Sequence, residues 1–175
     1  YPIIGVVIEE ITGKPLEEFY QERIFKPLGM HDTSFYLDKK KVNRFSNCYM
    51  PAMEKGKWQM KLYDDAKKSK IKCVNQCGAG GDLGGLLSTV KDYARFGQML
   101  LNGGELDGAR IIGRKSVEIM TSSHTKKLNI PMLGEGFGFG MGVGVYTGGS
   151  HNPIFRSPGT FGWGGAAGTT FFADP

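Results

Sequence analysis

Phe161-Gly162-Trp163-Gly164-Gly165-Ala166-Ala167-Gly168-Thr169-Thr170-Phe171-Phe172-Ala173-Asp174-Pro175 places four glycines in eight residues and then runs into a β-branched and aromatic segment. Glycine lets backbone approach another group closely or take φ > 0. A glycine-rich stretch that feeds a strand can therefore turn main-chain N–H groups toward a ligand. In Trp163-Gly164-Gly165-Ala166 the two glycines would strip side chains from a strand edge, so that a bound ester or amide could lie beside it with an N–H aimed at the carbonyl oxygen. The same glycines could equally serve close packing of a strand against its neighbours, and spacing does not choose between the two. The run reads as stopping in mid-strand, as a piece of something larger would.

Upstream, Phe137-Gly138-Phe139-Gly140-Met141-Gly142-Val143-Gly144-Val145-Tyr146 alternates large and small residues with period 2. It reads as one strand whose glycine face lies against other backbone, turned by Gly148-Gly149 into the terminal strand. Helices precede these two strands. Ile3, Ile4, Val7, Ile8 and Ile11 predict a helix from Pro2 to about Thr12 with Gly13 after its end. Pro15 opens a second helix with an apolar stripe of Leu16, Phe19, Tyr20, Ile24 and Phe25, its first turn carrying Glu17 and Glu18. Ser88 is placed to cap a helix from about Val90 to Leu101, which Asn102-Gly103-Gly104 ends. A further helix is expected from Arg114 to Ser122. Between Asp32 and Gly78 the chain is basic and irregular, with one short strand expected at Trp58–Leu62. The class is α+β, with helices packed on an antiparallel sheet.

The bulk numbers suit that class. A chain of 175 residues with 40% hydrophobic and 22% charged residues has the composition of a globular domain. Its longest apolar run, near Ile3–Ile8, is far short of the roughly 20 residues that span a bilayer. Net charge is +5, concentrated in Lys39-Lys40-Lys41 and in Lys67-Lys68-Ser69-Lys70-Ile71-Lys72. No nucleic-acid motif accompanies it, so these runs read as solvated loops. Cys48, Cys73 and Cys77 form neither a disulfide framework nor a zinc set, and no metal or cofactor is expected. Tyr1-Pro2 leads at once into a helix, so the native N-terminus is read as missing and the compartment stays open.

A nucleophilic hydrolase needs a nucleophile, a base and oxyanion donors. Both a Gly-x-Ser-x-Gly elbow and a Ser-x-x-Lys are read as absent. His31, His124 and His151 are isolated from one another in sequence. His151 falls in a loop between the last two strands, where it could line a cleft or simply be solvated. On these residues the chain holds no complete active site.

The order of the motifs is distinctive. Ile8-Glu9-Glu10-Ile11-Thr12-Gly13-Lys14-Pro15-Leu16, then Ile24-Phe25-Lys26-Pro27-Leu28-Gly29-Met30-His31-Asp32-Thr33, resembles the paired run of the serine β-lactamase-like family. That family takes in class C β-lactamases, D-Ala-D-Ala peptidases and family VIII esterases. Gly84-Gly85-Leu86-Leu87-Ser88-Thr89-Val90-Lys91-Asp92-Tyr93-Ala94-Arg95-Phe96 is similar to its helix entry, and Met99-Leu100-Leu101-Asn102-Gly103-Gly104 continues the likeness. Trp163-Gly164-Gly165 resembles its third catalytic motif, Lys-Thr-Gly in the lactamases and often Trp-Gly-Gly or His-x-Gly in the esterase-like branch. The resemblance implies that residues 1–175 are the C-terminal part of a single β-lactamase-like serine hydrolase domain, a partial penicillin-binding-protein-like fold truncated at both ends, with the Ser-x-x-Lys and Tyr-x-Asn motifs upstream; Tyr1 is not given the catalytic role. It further implies that Trp163, Gly164 and Gly165 line the cleft and that the Ala166 N–H is an oxyanion donor. Trp163 in place of lysine leans toward neutral ester substrates handled through an acyl-enzyme. β-Lactamase or D-Ala-D-Ala carboxypeptidase activity, or a non-catalytic binding relative, are the alternatives. The partner implied is a small-molecule ester or amide, with no nucleic acid and an open oligomeric state.

Overall fold

The structure, a computed structural model, describes residues 2–65, 86–125, 128, 130–149, 155–165 and 168–175. Its contacts divide the chain into two compact units. The first comprises Tyr1–Phe25 and His31–Thr89, and the second Lys26–Met30 and Val90–Pro175.

In the first unit, α1 (Pro2–Thr12) ends where the sequence predicts, at Gly13 with φ +64, whose N–H donates to the Glu9 carbonyl at 2.8 Å. Glu9 also accepts, through Oε1, the Leu16 N–H that opens α2 (Leu16–Tyr20), at 2.8 Å. One carboxylate thus satisfies an orphan donor at a helix start, where the dipole favours negative charge. A single wider turn, Gln21–Phe25, prolongs α2. Leu16 and Phe35 form the buried centre, with Ile8 and Tyr20 packed on them. Glu17 ties the next segment down by accepting from the Phe35 N–H at 2.7 Å and from Gln21 Nε2 at 2.9 Å. Ser34 and Leu87 exchange backbone hydrogen bonds of 3.0 and 2.9 Å.

Within Asp32–Asp65, the described part of the stretch expected to be irregular, regular elements form. A 3₁₀ turn over Lys39–Arg44 is capped by Asp38, which accepts from the Lys40 N–H at 2.9 Å. After it come β1 (Cys48–Glu54) and β2 (Lys57–Asp64), an antiparallel hairpin. Its turn, Lys55 (φ +48) and Gly56 (φ +75), has both central residues at positive φ, which suits the twist of a two-residue hairpin. The strand expected at Trp58–Leu62 is the middle of β2, and its partner went unread.

Asp32 is gripped by this turn, with Arg44 and Lys41 each placing a nitrogen 2.7 Å from its carboxylate. The Arg44 hydrogen bond and then that of Lys41 hold the carboxyl well below the usual carboxylate range. A depressed folded pKa stabilises fully above the ordinary value of 3.8 and is lost as pH falls through the lower folded one. The stability gap between wild type and Asp32→Asn is therefore expected to shrink below about pH 4. Urea midpoints followed by circular dichroism at stepped pH measure this; a gap that stays constant on acidification counts against the ion pairs.

In the second unit α3 (Val90–Leu101) packs on the sheet. Thr89, rather than Ser88, directly precedes its first helical residue; the Ser88 hydroxyl is instead 2.8 Å from that of Thr33. The helix closes with paired bonds, Gly103 N–H to the Leu100 carbonyl (3.0 Å) and Gly104 N–H to that of Met99 (2.9 Å), with Gly103 at φ +69. Arg95 on this helix donates through Nε to the Leu28 carbonyl and through its terminal nitrogen to Asp107. A small hairpin, β3 (Glu105–Leu106) and β4 (Ala109–Arg110), leads to α4 (Arg114–Met120).

The chain then forms a four-stranded antiparallel sheet in the order β5-β6-β7-β8, built from Phe137–Phe139, Gly144–Tyr146, Phe161–Gly164 and Thr170–Ala173. Two strands were expected. The alternating run Phe137–Tyr146 is two strands joined by a turn in which the Gly140 N–H donates to the Val143 carbonyl at 2.8 Å and Gly142 takes φ +87. Because the turn glycines themselves keep the alternation going, period alone could not reveal the reversal. The terminal segment is likewise a hairpin. Phe171 meets α3: its ring is 4.7 Å from that of Tyr93, and a Cβ added at Gly97 would lie 2.8 Å from it. That approach explains a glycine in mid-helix, and burial pushes the Tyr93 phenol up. Among the described residues no helix is long and apolar enough to cross a membrane.

Candidate active site

Of the residues read as the third motif, Trp163 and Gly164 end β7 and Gly165 follows it, and the strand runs from the core outward. Phe161 is buried, while Trp163, Gly164 and Gly165 are exposed. The register sets Gly162 against Phe172 and Gly164 against Thr170. The loop between β7 and β8 is closed by the Gly165 N–H, which donates to the Thr169 carbonyl at 2.8 Å, and by the Gly168 N–H, which donates to that of Gly165 at 3.0 Å. The Gly165 N–H is thus spent inside the hairpin. Ala166, the expected oxyanion donor, and His151 lie outside the described residues.

The glycines, ambiguous by spacing, separate by geometry. A Cβ on Gly162 would fall 2.1 Å from the Phe171 carbonyl oxygen and 2.8 Å from Phe172 Cα, so Gly162 is demanded by the neighbouring strand. At Gly164 the nearest atom would be the Thr169 carbonyl oxygen at 3.7 Å, an ordinary contact. Packing inside this chain explains the first and leaves the second free to serve something that lies along the strand.

Trp163 keeps 37% of its surface exposed, with its ring edge-on to Phe139, centroids 5.2 Å apart at 79°. This geometry is worth about 1 kcal/mol beyond burial and fixes the indole plane. Beside β7 lies a cavity of about 450 Å³, lined among others by Met132, Phe137, Gly162, Trp163, Arg156 and Phe172. The Arg156 guanidinium lies 4.9 Å from the Phe172 ring centre and 5.6 Å from that of Phe137. Its Nε is buried without a hydrogen-bond partner among the described residues. Neither Phe139 nor Arg156 was singled out from sequence. Each acquires its place through a cross-strand or ring contact that no local pattern encodes.

The other candidates disperse. His124 Nε2 is 2.8 Å from the Ile119 carbonyl, a local structural bond. His31 lines a separate polar groove of the first unit, with Asp32 and Lys41. Three serines do stand three residues before a lysine, Ser69 with Lys72, Ser88 with Lys91 and Ser123 with Lys126, a spacing the sequence reading passed over, and the first pair lies outside the described residues. The Ser88 hydroxyl pairs with Thr33 and Lys91 is exposed. Ser123 Oγ is buried beneath Gly138 without a partner among the described residues, and Lys126 lies outside them. Among the described residues neither serine is held by a base. Cys48 is a free, half-buried thiol, and no group of three or more His, Cys, Asp or Glu side chains is placed to hold a metal ion among those residues.

A family model described as Beta-lactamase matches residues 1–175. The chain belongs to the β-lactamase family. Protein Rv1367c of Mycobacterium tuberculosis is 33% identical to it over 99% of this chain and 44% of the relative. A putative D-alanyl-D-alanine carboxypeptidase of Escherichia coli is 26% identical over 100% of this chain and 41% of its own length. Among solved structures, EstCE1, a hydrolase with promiscuous acyltransferase activity, superposes with a TM-score of 0.73 at 21% identity, over 99% of this chain and 46% of its own. At that identity the likeness speaks for the fold. This β-lactamase-family chain therefore spans less than half the length of these relatives, and its helices and antiparallel sheet are one part of the fold they share. The family is one of serine hydrolases.

Proposed function

We propose that this chain supplies one wall of the acyl-transfer cleft of a serine esterase, whose nucleophile and base come from outside these residues. The observation that supports this most is Trp163. It stands at the third-motif position with an exposed ring held by Phe139, where a lysine would offer charge to a carboxylate. An aromatic wall beside a glycine with spare room suits the acyl or alkyl part of an uncharged ester. In this reading a serine oxygen attacks the ester carbonyl and forms a C–O bond, and the alcohol leaves with a proton. Water then cleaves the acyl-enzyme. The Ala166 N–H serves as one oxyanion donor. The 175-residue chain by itself is expected to show only background ester hydrolysis.

A second reading, carboxypeptidase-like, draws on Arg156, which lines the same cavity and could meet a substrate carboxylate. In the full-length protein, Trp163→Lys is expected to lower ester kcat/KM by roughly tenfold or more while β-lactam or D-Ala-D-Ala turnover holds or rises. If Arg156→Gln instead abolishes peptide turnover in the presence of Trp163, the second reading prevails. No change in either substrate class on Trp163→Lys refutes the assignment of Trp163.

A further inference from the structure

The β1–β2 hairpin presents two unlike surfaces. Its register sets Tyr49 against Leu62, Pro51 against Met60 and Met53 against Trp58. Alternate residues of a strand share a face, so these six make one continuous apolar face. The opposite face holds Met50, Ala52 and Glu54 against Lys61, Gln59 and Lys57, with a Glu54–Lys61 ion pair across it. A ribbon normally folds its apolar face inward. Along β1 the order is reversed, with Met50, Ala52 and Glu54 half-buried and Tyr49, Pro51 and Met53 exposed, while β2 is exposed on both faces; the apolar set runs from 50% exposed at Tyr49 and Leu62 to 65% at Met60 and 70% at Trp58. A contiguous exposed apolar face of this kind marks an interaction surface.

Three features select its occupant. The face combines Trp and Tyr with Met and Leu, and amphipathic aromatics settle at the boundary between lipid headgroups and acyl chains. Charge is graded along the ribbon: Lys55 and Lys57 flank Gly56 at the tip, while Asp64-Asp65 close the other end. Between Cys48 and Tyr63 there are three lysines against one glutamate, in a chain of net charge +5. Finally, six side chains on a ribbon two strands wide fall well short of the roughly 20–30 residues a side that a stable protein pair uses. A fluid surface needs no matching partner. We infer that this face docks on an anionic lipid surface, with Trp58, Met60 and Met53 in the headgroup–acyl boundary and Lys55 and Lys57 among the phosphates.

Sedimentation of the full-length protein with vesicles tests this, using phosphatidylcholine alone and an equal mixture with phosphatidylglycerol. The chain is expected to partition onto the mixed vesicles, to be released by high salt, and to bind phosphatidylcholine alone weakly. The double variant Trp58→Gln/Met60→Gln and the tip variant Lys55→Gln/Lys57→Gln should each lose roughly tenfold or more in partitioning. Lys115→Gln, on α4, should lose nothing. In a variant that keeps Trp58 as its one tryptophan, emission should shift to shorter wavelength on mixed vesicles. All replaced hairpin side chains are exposed, and circular dichroism checks that each variant stays folded. Wild type that fails to sediment, or that sediments as well as the Trp58→Gln/Met60→Gln variant, overturns the inference. So does self-association in sedimentation velocity that this variant abolishes, because the face would then belong to a second copy.

Discussion

Gly162→Ala is expected to destabilise the second unit by about 3 kcal/mol, at the upper end of what overpacking costs. The added methyl would stand 2.1 Å from the Phe171 carbonyl oxygen and 2.8 Å from Phe172 Cα. Both are backbone atoms of the partner strand, so no rotamer change can relieve the contact. β7 and β8 would have to part at the middle of their ladder, and β7 is also the strand that joins β6 to β8. Because Phe171 carries the contact with Tyr93 and Gly97, the disturbance should reach α3 as well. Urea unfolding followed by far-UV circular dichroism measures the loss. A midpoint within error of wild type would mean that the strands are farther apart than described.

Two residues along, the outcome should invert. Gly164→Val in the full-length protein is expected to leave the unfolding midpoint nearly unchanged and to lower ester kcat/KM by roughly a hundredfold, the order of effect of misplacing a reacting group by about an ångström. A Cβ at Gly164 meets nothing closer than 3.7 Å, so the fold has no objection to it. The branched side chain would, however, occupy the edge along which the substrate carbonyl is proposed to lie. Steady-state kinetics beside a melting curve separates the two effects. Activity retained with Val at this position would place the substrate elsewhere and remove β7 from the cleft.

These two glycines also show where a sequence stops being informative. Trp163-Gly164 was legible as strand because its glycines and the aromatic run beside them are local, although β7 lies inside the sheet, between β6 and β8, rather than at its edge. Which glycine packs and which stays open depends on the register of β8, and register is set by contacts no window contains. The helices α1 and α3 were legible for the opposite reason, since apolar spacing and terminal glycines lie within one segment. The β1–β2 hairpin escaped because Pro51 and three lysines blur its alternation, and because Lys55-Gly56 lacks the Asn or Asp that usually announces such a turn. The reversal at Gly140–Val143 was hidden by its own regularity. Phe139 could not be named as the support of Trp163, since its ring reaches the indole only once β5, β6 and β7 are side by side.

Residues Lys26–Met30 group with Val90–Pro175, although the chain on either side of them groups with the first unit. Anyone dividing the gene at Val90 to obtain the sheet and its helices would keep all four strands and still leave out a part of the second unit. Arg95 would have no Leu28 carbonyl to bind, and Leu28 itself, at 0% exposure the most enclosed side chain of that segment, would be gone. Dissection would have to follow the weave of the polypeptide, either by retaining both stretches or by permuting the chain so that they become neighbours.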